Sequence, residues 1–354
     1  MKKFQLLLVA IISISLITSC GNSSKKQNSE KKAKALTGAG ATFPQPFYNT
    51  IFKTYTKSKG LLVTYGGIGS GGGIRSLKDK IVDFGATDAF LSDKKLADMP
   101  GDVLHIPSCL GAVVAAYNLP GKPKLKFTPE LMEGIFMGKI TNWNDAKIAA
   151  INPDATLPNL EITVVYRSDG SGTTFIFSDY MSKVSTEWKD KIGAGKALQW
   201  PVGLAAKGNP GVAGTISSTV GAIGYIGSEY AFAQSIPIAS IQNKAGNFIK
   251  PSVASVSAAA AGDIPNDTRV TLTNTSAEQG YPISSFTWLI VYKEQSYSGR
   301  SKDQALQTKL LLKWILGEEA QSNTSKVHYA PLPEKAVVKA HKILDLMTYD
   351  GKGL

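Results

Sequence analysis

The stretch VVYRSDGSGTTFIF, from Val164 to Phe177, decides the fold class. Its β-branched apolar run predicts a strand that ends at Arg167, and the residues from Ser171 onward predict a helix. Between them lie a fixed positive charge, the carboxylate of Asp169 and a Gly-Ser-Gly turn. A strand followed by a glycine-rich turn and a helix is the unit from which α/β proteins are built, so the stretch predicts that class.

The rest of the chain repeats this alternation. Predicted strands include LLVTYGGI, VDFGATD, EITVVYR, GAIGYIG and FTWLIVYK, and predicted helices include TPELMEGIFMGK and KDQALQTKLLLKWIL. VLHIP and LGAVVAAYN are two further strand-like runs. About 320 residues of globular composition follow Leu36, which favours two domains over one. Strands that alternate with helices predict parallel sheets.

The first 35 residues predict targeting rather than a fold. Residues 1–19 begin with a basic end and continue with an apolar stretch too short for a convincing membrane span, as in a signal peptide. They lead into LITSC, which resembles a bacterial lipoprotein signal, so we predict that cleavage leaves Cys20 to carry lipid. An ordinary secretory peptide is the alternative. Residues 20–35 are polar and lysine-rich, which predicts a disordered tether.

Composition and charge exclude several kinds of site. The 354 residues carry a net charge of +12, half of which lies ahead of Leu36, where lysines beside a lipid could contact anionic headgroups. No lysine–arginine stripe with interleaved aromatics occurs, so we expect no nucleic-acid partner. With Cys20 lipidated, Cys109 has no partner, which excludes a disulfide framework and suggests a core residue. The three histidines lack metal-ligand spacing, so we expect no metal site.

Three strand-to-helix joins carry the chemistry of an anion site. They are GAGATFPQPF (38–47), YGGIGSGGGI (65–74) and RSDGSGTTF (167–175). In open α/β sheets, ligands lie where strands end and helix N-termini offer free N–H groups and partial positive charge. Glycine permits close approach of the backbone, and Ser70 and Ser171 add hydroxyl donors. One such turn is weak evidence, but three of them, one beside Arg167, indicate an oxyanion ligand.

Two enzymatic alternatives stay open at this point. Gly67 to Gly72 match G-x-G-x-x-G after a strand, with Asp88 ending the next strand, which is the dinucleotide fingerprint of an NAD-dependent oxidoreductase. An exported protein has no ready supply of nicotinamide cofactor, however, and the fingerprint leaves Arg167 unused. A secreted phosphatase is the other alternative. Neither a Walker A sequence nor a G-x-S-x-G elbow occurs.

Six motifs resemble, in this order, those of the phosphate-binding proteins that serve the Pst-type ABC phosphate importer: LTGAGATFPQPFY, YGGIGSGGGI, VDFGATDAFLSDKKL, GIFMGKITNWND, RSDGSGTTFIFSDYMSKV and GAIGYI. The resemblance extends from Leu36 to the C-terminal helix. It implies a type II periplasmic binding protein fold, in which two α/β lobes are joined by two crossing strands and close on the ligand. It also implies a monomeric, extracytoplasmic, lipid-anchored receptor that binds inorganic phosphate with high affinity and delivers it to a membrane permease, without cofactor or catalysis.

The resemblance also divides the chain. We expect residues 36–110 and 284–354 to form the first lobe, and residues 111–283 to form the second. The hinge would run through SCLGAVV and YPISSFTW.

On the first lobe, the resemblance implies four residues that contact phosphate. Thr42 and Phe43 would donate backbone N–H groups, together with the Thr42 hydroxyl. Ser70 would donate from the glycine-rich join, and Asp88 would accept a hydrogen bond from the phosphate itself. Gly71 is a departure, because many members have a second serine there.

On the second lobe, the resemblance implies a group of donors around one charge. Arg167 would hold two phosphate oxygens with its planar guanidinium. Ser171, Gly172 and Thr173 would donate from the helix N-terminus. Asp169 would orient Arg167, much as carboxylates orient metal-bound histidines, although an Asx turn explains Asp169 equally well.

Asp88 offers a physical reason for choosing phosphate over sulfate. Phosphate keeps a proton near neutral pH, because its second pKa is about 6–7, whereas sulfate keeps none. A buried carboxylate only accepts hydrogen bonds, so it would pair with a phosphate O–H but repel sulfate by several kcal/mol. The alternative is that Asp88 caps the helix SDKKLADM, but Ser92 or Asp93 suits that role better by position.

Overall fold

The computed structural model describes residues 32–297 and 299–354. The predicted signal peptide, Cys20 and most of the tether therefore lie outside the described residues. The N–H of Ala33 donates to Asp303 Oδ2 (2.6 Å), and the first strand begins at Ala35. The fold thus includes the last residues of the predicted tether.

Strands and helices alternate through most of the described chain. The strands are β1 (Ala35–Gly40), β2 (Leu62–Gly67), β3 (Phe84–Thr87), β4 (Val103–Tyr117), β5 (Lys126–Phe127), β6 (Thr163–Arg167), β7 (Leu204–Ala206), β8 (Ala222–Gly227), β9 (Ser240–Gln242), β10 (Phe248–Ile249), β11 (Leu272–Thr273), β12 (Ile283–Tyr292), β13 (Thr348–Tyr349) and β14 (Lys352–Gly353). The helices are α1 (Gln45–Lys59), α2 (Ser70–Lys78), α3 (Asp93–Ala97), α4 (Pro129–Phe136), α5 (Ala146–Ile151), α6 (Gly172–Val184), α7 (Thr186–Lys191), α8 (Gly208–Ser218), α9 (Ser228–Ala233), α10 (Val253–Ala259), α11 (Lys302–Ile315), α12 (Glu318–Gln321) and α13 (Glu334–Leu344). The predicted α/β class is confirmed. Among the described helices, none is long and apolar enough to cross a membrane.

One large sheet runs through the molecule in the order β2-β1-β3-β12-β4-β8-β6-β7. We call the part with β1, β2, β3 and β12 the first half, and the part with β6, β7 and β8 the second half. β1 is parallel to β2 and β3, and β6 is parallel to β7 and β8. β4 and β12 run antiparallel to their neighbours. The prediction of parallel sheets is therefore right for β1, β2 and β3 and for β6, β7 and β8, and wrong for β4 and β12, along which the chain leaves the first half and returns.

β4 connects the two halves of the sheet. It pairs with β12 up to Ala112 and with β8 from Val113 onward, a change of partner that lies within the segment SCLGAVV. VLHIP and LGAVVAAYN, which predict two strands, form this single strand. The pairing register with β12 shifts next to Pro107, and the missing N–H of that proline explains the apparent break in the pattern.

Helices cover the sheet and bury its central strands. α1 and α2 pack on the first half, α6 and α8 pack on the second half, and α13 packs on β4. Every residue of β4 and β12 is buried, as expected for strands covered on both faces. The joins that lead into these helices are thereby held on a rigid support.

Serine side chains cap the N-termini of α6 and α3. Ser171 Oγ accepts from Thr174 N (3.0 Å) at the start of α6, and Ser92 Oγ accepts from Lys95 N (3.4 Å) at the start of α3. Because Ser92 is the cap of α3, Asp88 is not, as predicted from position. The carboxyl of Asp88 is therefore left for another role.

Candidate functional site

The three predicted joins meet between the two halves of the sheet. GAGATFPQPF connects β1 to α1, YGGIGSGGGI connects β2 to α2, and RSDGSGTTF connects β6 to α6. A Cβ built on Gly172 would lie 2.5 Å from both Asp88 Oδ2 and Ser70 Oγ, so the halves touch here. The candidate site thus lies at the carboxyl ends of β1, β2 and β6, where ligands of open α/β sheets bind.

Thr42 and Phe43 are buried just ahead of α1. Their carbonyl oxygens accept hydrogen bonds from Tyr230 Oη and Tyr329 Oη. Among the described residues, their backbone N–H groups have no hydrogen-bond partner. Because a buried N–H without a partner is unfavourable, these two groups suit an acceptor supplied by a ligand.

Asp88 directly follows β3 and is only 2% exposed. Its Oδ1 accepts from Thr287 Oγ1 (2.7 Å). Ser70 Oγ donates to Oδ2 (3.5 Å) and accepts from the Asp88 N–H (3.2 Å). Burial raises the pKa of Asp88 to about 7, against the hydrogen bond from Thr287 and the charge of Arg167. Near neutral pH this carboxyl can therefore accept or donate a proton.

Arg167 is 4% exposed and is held by Asp169. Its Nε and Nη2 donate to Asp169 Oδ1 (2.8 Å) and Oδ2 (2.6 Å), and its Nη1 donates to Thr173 Oγ1 (3.3 Å). Asp169 Oδ1 also accepts from the N–H of Gly208 (2.9 Å). Burial opposes ionisation of Asp169, but the bonds to Arg167 and Gly208 outweigh it and lower the pKa of this carboxyl. This is the geometry that an orienting role for Asp169 requires.

Ser171, Gly172 and Thr173 form the start of α6. The N–H of Ser171 donates to the carbonyl of Lys196 (2.9 Å), so only its hydroxyl remains as a donor. The N–H groups of Gly172 and Thr173 belong to the first helical turn, where backbone donors have no partner within the helix. These donors and the positive end of the helix dipole suit an anion.

Gly71, where many members of the resembled family have a second serine, lies close to the second half. Its N–H donates to the carbonyl of Gly170 (2.7 Å), and a Cβ at Gly71 would lie 3.2 Å from Gly170 Cα. A Cβ on Gly69 would lie 2.2 Å from Asp169 Oδ2. Gly69 of the G-x-G-x-x-G segment and the neighbouring Gly71 thus pack against the other half, which argues against a pyrophosphate beside them.

Asn209 belongs to the site although the sequence analysis missed it. It is fully buried at the start of α8, and its Nδ2 donates to Thr42 Oγ1 (3.0 Å) and to Thr173 Oγ1 (3.0 Å). LAAKGNPG, which contains β7 and the start of α8, is a fourth glycine-containing join that the same search could have found. β7 is short and largely exposed, so its pattern does not predict a strand.

Among the described residues, the side chains of Cys109 and His105 form no hydrogen bond with these donors. Cys109 is buried and burial raises the pKa of its thiol, as expected for a core residue rather than a nucleophile. His105 is also buried, and its Nε2 accepts from Leu91 N (3.0 Å). Within residues 32–297 and 299–354, no group of three His, Cys, Asp or Glu side chains could hold a metal ion.

Known proteins resemble the chain over most of its length. The family description PBP superfamily domain matches residues 25–325. The phosphate-binding protein PstS of Xylella fastidiosa (strain 9a5c) is 39% identical over 327 residues, 90% of this chain and 87% of that protein. The protein of the same name from Pasteurella multocida (strain Pm70) is 38% identical over 331 residues, 91% of this chain and 94% of that protein.

A solved structure shares the fold. The periplasmic phosphate-binding protein PfluDING, solved with phosphate, superposes with a TM-score of 0.69 at 22% identity, over 87% of this chain and 93% of that one. This likeness confirms the predicted two-lobed periplasmic binding protein fold.

Proposed function

The chain belongs to the family of the phosphate-binding proteins PstS, and from this premise we propose that it binds inorganic phosphate between its two lobes and delivers it to an ABC phosphate permease. It acts as a binding protein and not as an enzyme, so phosphate leaves it chemically unchanged. The eight proposed contacts are Thr42, Phe43, Ser70, Asp88, Arg167, Ser171, Gly172 and Thr173.

The observation that carries the proposal is the excess of hydrogen-bond donors over acceptors at the site. Backbone N–H groups, hydroxyls and a guanidinium converge there from both halves. Among the proposed contacts, only Asp88 offers a carboxyl oxygen. Both oxygens of the nearby Asp169 accept hydrogen bonds from Arg167 instead. Many donors and one acceptor match an oxyanion that carries one proton, which is phosphate near neutral pH.

Calorimetry on protein stripped of bound anion tests this function. We expect tight binding of phosphate and little binding of sulfate at pH 8, because ionised Asp88 would face sulfate without a shared proton. Equal affinity for the two anions would contradict the proposed role of Asp88, and no phosphate binding would contradict the function itself. The anion that copurifies with the protein provides an independent check.

Closure of the lobes is a further part of the proposal. The first lobe (36–110 and 284–354) and the second lobe (111–283) would move about SCLGAVV and YPISSFTW. The change of strand partner at Ala112 and Val113 supports a hinge there. Small-angle X-ray scattering should give the mass of a monomer and a smaller radius of gyration with phosphate than without it. An unchanged radius would contradict closure.

The proposed location is outside the cytoplasm, with the protein held to a membrane by lipid on Cys20. The support is the sequence LITSC at the end of the predicted signal peptide and the lysine-rich segment that follows. Detergent phase partitioning of the full chain should place the protein in the detergent phase and Cys20→Ser in the aqueous phase. Equal partitioning of both would contradict the anchor.

A further inference from the structure

Asn209 lies where the two halves of the site meet. Its side-chain nitrogen contacts Thr42 Oγ1 from the first half and Thr173 Oγ1 from the second half, each at 3.0 Å. The side chain is completely buried, so these bonds do not compete with solvent. What it can do to the site depends on the direction of each hydrogen bond.

The orientation of the Asn209 amide is fixed by the backbone. The N–H of Gly227 donates to Asn209 Oδ1 (3.0 Å), and a backbone N–H can only donate. The opposite amide orientation would set two donors against each other at this point. The NH₂ group of Asn209 must therefore face the two threonines.

The Thr42 hydroxyl is left with only its proton to offer. Its oxygen accepts from Asn209 Nδ2 (3.0 Å) and from the backbone N–H of Asn209 (3.1 Å). A hydroxyl has two acceptor positions and one proton, and both acceptor positions are used. Among the described residues its proton has no protein acceptor, so it is available to a ligand.

The Thr173 hydroxyl has the same polarity for a different reason. Its oxygen accepts from Asn209 Nδ2 (3.0 Å) and from Arg167 Nη1 (3.3 Å). Both acceptor positions are again occupied by groups that can only donate, since a guanidinium has no acceptor. Asn209 thus acts on one hydroxyl from each half.

We propose that Asn209 is a positioning and specificity-determining residue, which makes the hydroxyls of Thr42 and Thr173 obligate donors to the bound anion. This inference rests on the proposed phosphate function. These two hydroxyls then cannot accept a hydrogen bond from the phosphate O–H, so the phosphate proton is directed toward Asp88. Asn209 thereby sets the orientation of the bound phosphate and contributes to the affinity of the protein for phosphate.

Asn209→Asp reverses the direction of the two hydrogen bonds to the threonine hydroxyls with little change in the shape of the side chain. In Asn209→Asp, Gly227 still has its acceptor and the backbone N–H of residue 209 is unchanged, but a carboxylate oxygen now accepts from both hydroxyls. Asn209→Ala leaves the hydroxyls free to rotate. We expect Asn209→Ala to weaken phosphate binding about tenfold, as for two neutral hydrogen bonds, and Asn209→Asp to weaken it at least tenfold further, measured by calorimetry.

A double-mutant cycle separates this role from a structural one. In the Thr42→Val/Thr173→Val background, Asn209→Ala should weaken phosphate binding less than about twofold, because the hydroxyls it positions are gone. An equal loss in both backgrounds would overturn the inference, and it does so even if Asn209→Asp fails to fold. Asn243→Ala is a matched control, because Asn243 is also buried and its amide donates to the carbonyls of residues 277, 278 and 280. The Asn243→Ala protein should bind phosphate as tightly as the wild type.

The same titrations distinguish the inference from the function on which it rests. If the wild-type protein does not bind phosphate, the proposed function fails. If the wild type binds phosphate and Asn209→Ala binds it equally well, only the role of Asn209 fails.

Discussion

Asp88 in the first half and Asp169 in the second half have opposite surroundings. Asp169, in the second half, faces the guanidinium of Arg167 with both oxygens. Asp88, in the first half, accepts hydrogen bonds from the hydroxyls of Thr287 and Ser70, and it forms no ion pair with any residue that the structure describes. The pKa of Asp169 is lowered, because its bonds to Arg167 outweigh its burial, whereas burial raises the pKa of Asp88 to about 7.

These surroundings suit the two aspartates to different tasks at the proposed site. A carboxylate that is paired with arginine stays ionised and fixes a cation in place. A carboxylate that is buried without a cation changes its protonation near neutral pH and can respond to a proton on the ligand. We therefore propose that the second half supplies attraction and the first half supplies discrimination. Three substitutions test this division.

The largest effect is expected from Arg167→Met, which removes the charge of the second half. The anion loses a charge-assisted contact and Asp169 is left buried without its partner, so phosphate binding should weaken by about 3–5 kcal/mol, or roughly 10²–10⁴-fold. Calorimetry or competition with labelled phosphate measures the change.

The matched control for this substitution is Arg269→Met. Arg269 is likewise bonded to an aspartate two residues away, Asp267, through its Nε (2.9 Å), and it also pairs with Asp93 (2.8 Å). Its removal should leave phosphate affinity unchanged. If Arg167→Met costs no more than the control, attraction does not reside in the second half.

The sequence predicts the parts of this comparison that are local. Each strand-to-helix join, including the helix start at Ser171, is contained in a short segment, and glycine, serine and helical periodicity predict it. The bond between Arg167 and Asp169 also spans only two residues, and it matches the orienting role expected for Asp169, for which an Asx turn was the alternative. The raised pKa of Asp88 depends instead on its burial in the assembled fold, where Asp88 contacts Thr287 of β12, 199 residues away along the chain. No local pattern contains that information.

Long-range pairing also explains the two main errors. β4 is one strand because its pairing with β12 continues past Pro107, although the local sequence there predicts a break. Asn209 was missed because an asparagine before a proline in a glycine-rich segment predicts a turn. Its contacts with Thr42 and Thr173 exist only because β1, β6 and β7 end at the same place.

An intermediate effect is expected when pH changes the protonation of Asp88. The pKa of the Asp88 carboxyl is raised to about 7, so the carboxyl is ionised above that pH and neutral below it. The neutral form can donate to a sulfate oxygen, whereas the ionised form repels sulfate. Sulfate affinity should follow the neutral fraction, rising roughly tenfold from pH 8 to pH 6 and levelling off below.

Asp88→Asn is the control for this pH dependence. Its amide donates at every pH, so sulfate should bind at pH 8 and its affinity should change little between pH 8 and pH 6. Competition titrations of sulfate against labelled phosphate measure both proteins. A wild-type sulfate affinity that does not depend on pH would show that the first half does not discriminate through Asp88.

The smallest effect is expected from Asp169→Asn, because two consequences oppose each other. Arg167 loses two charge-assisted bonds that hold it in place, which weakens phosphate binding. At the same time a negative charge next to the anion disappears, which strengthens it. The asparagine oxygen can still accept from Arg167 and from the N–H of Gly208. Phosphate affinity should therefore change less than about tenfold. Asp267→Asn, the equivalent change beside Arg269, is the control. A loss as large as that of Arg167→Met would mean that Asp169 sets the charge of the second half instead of only holding its arginine.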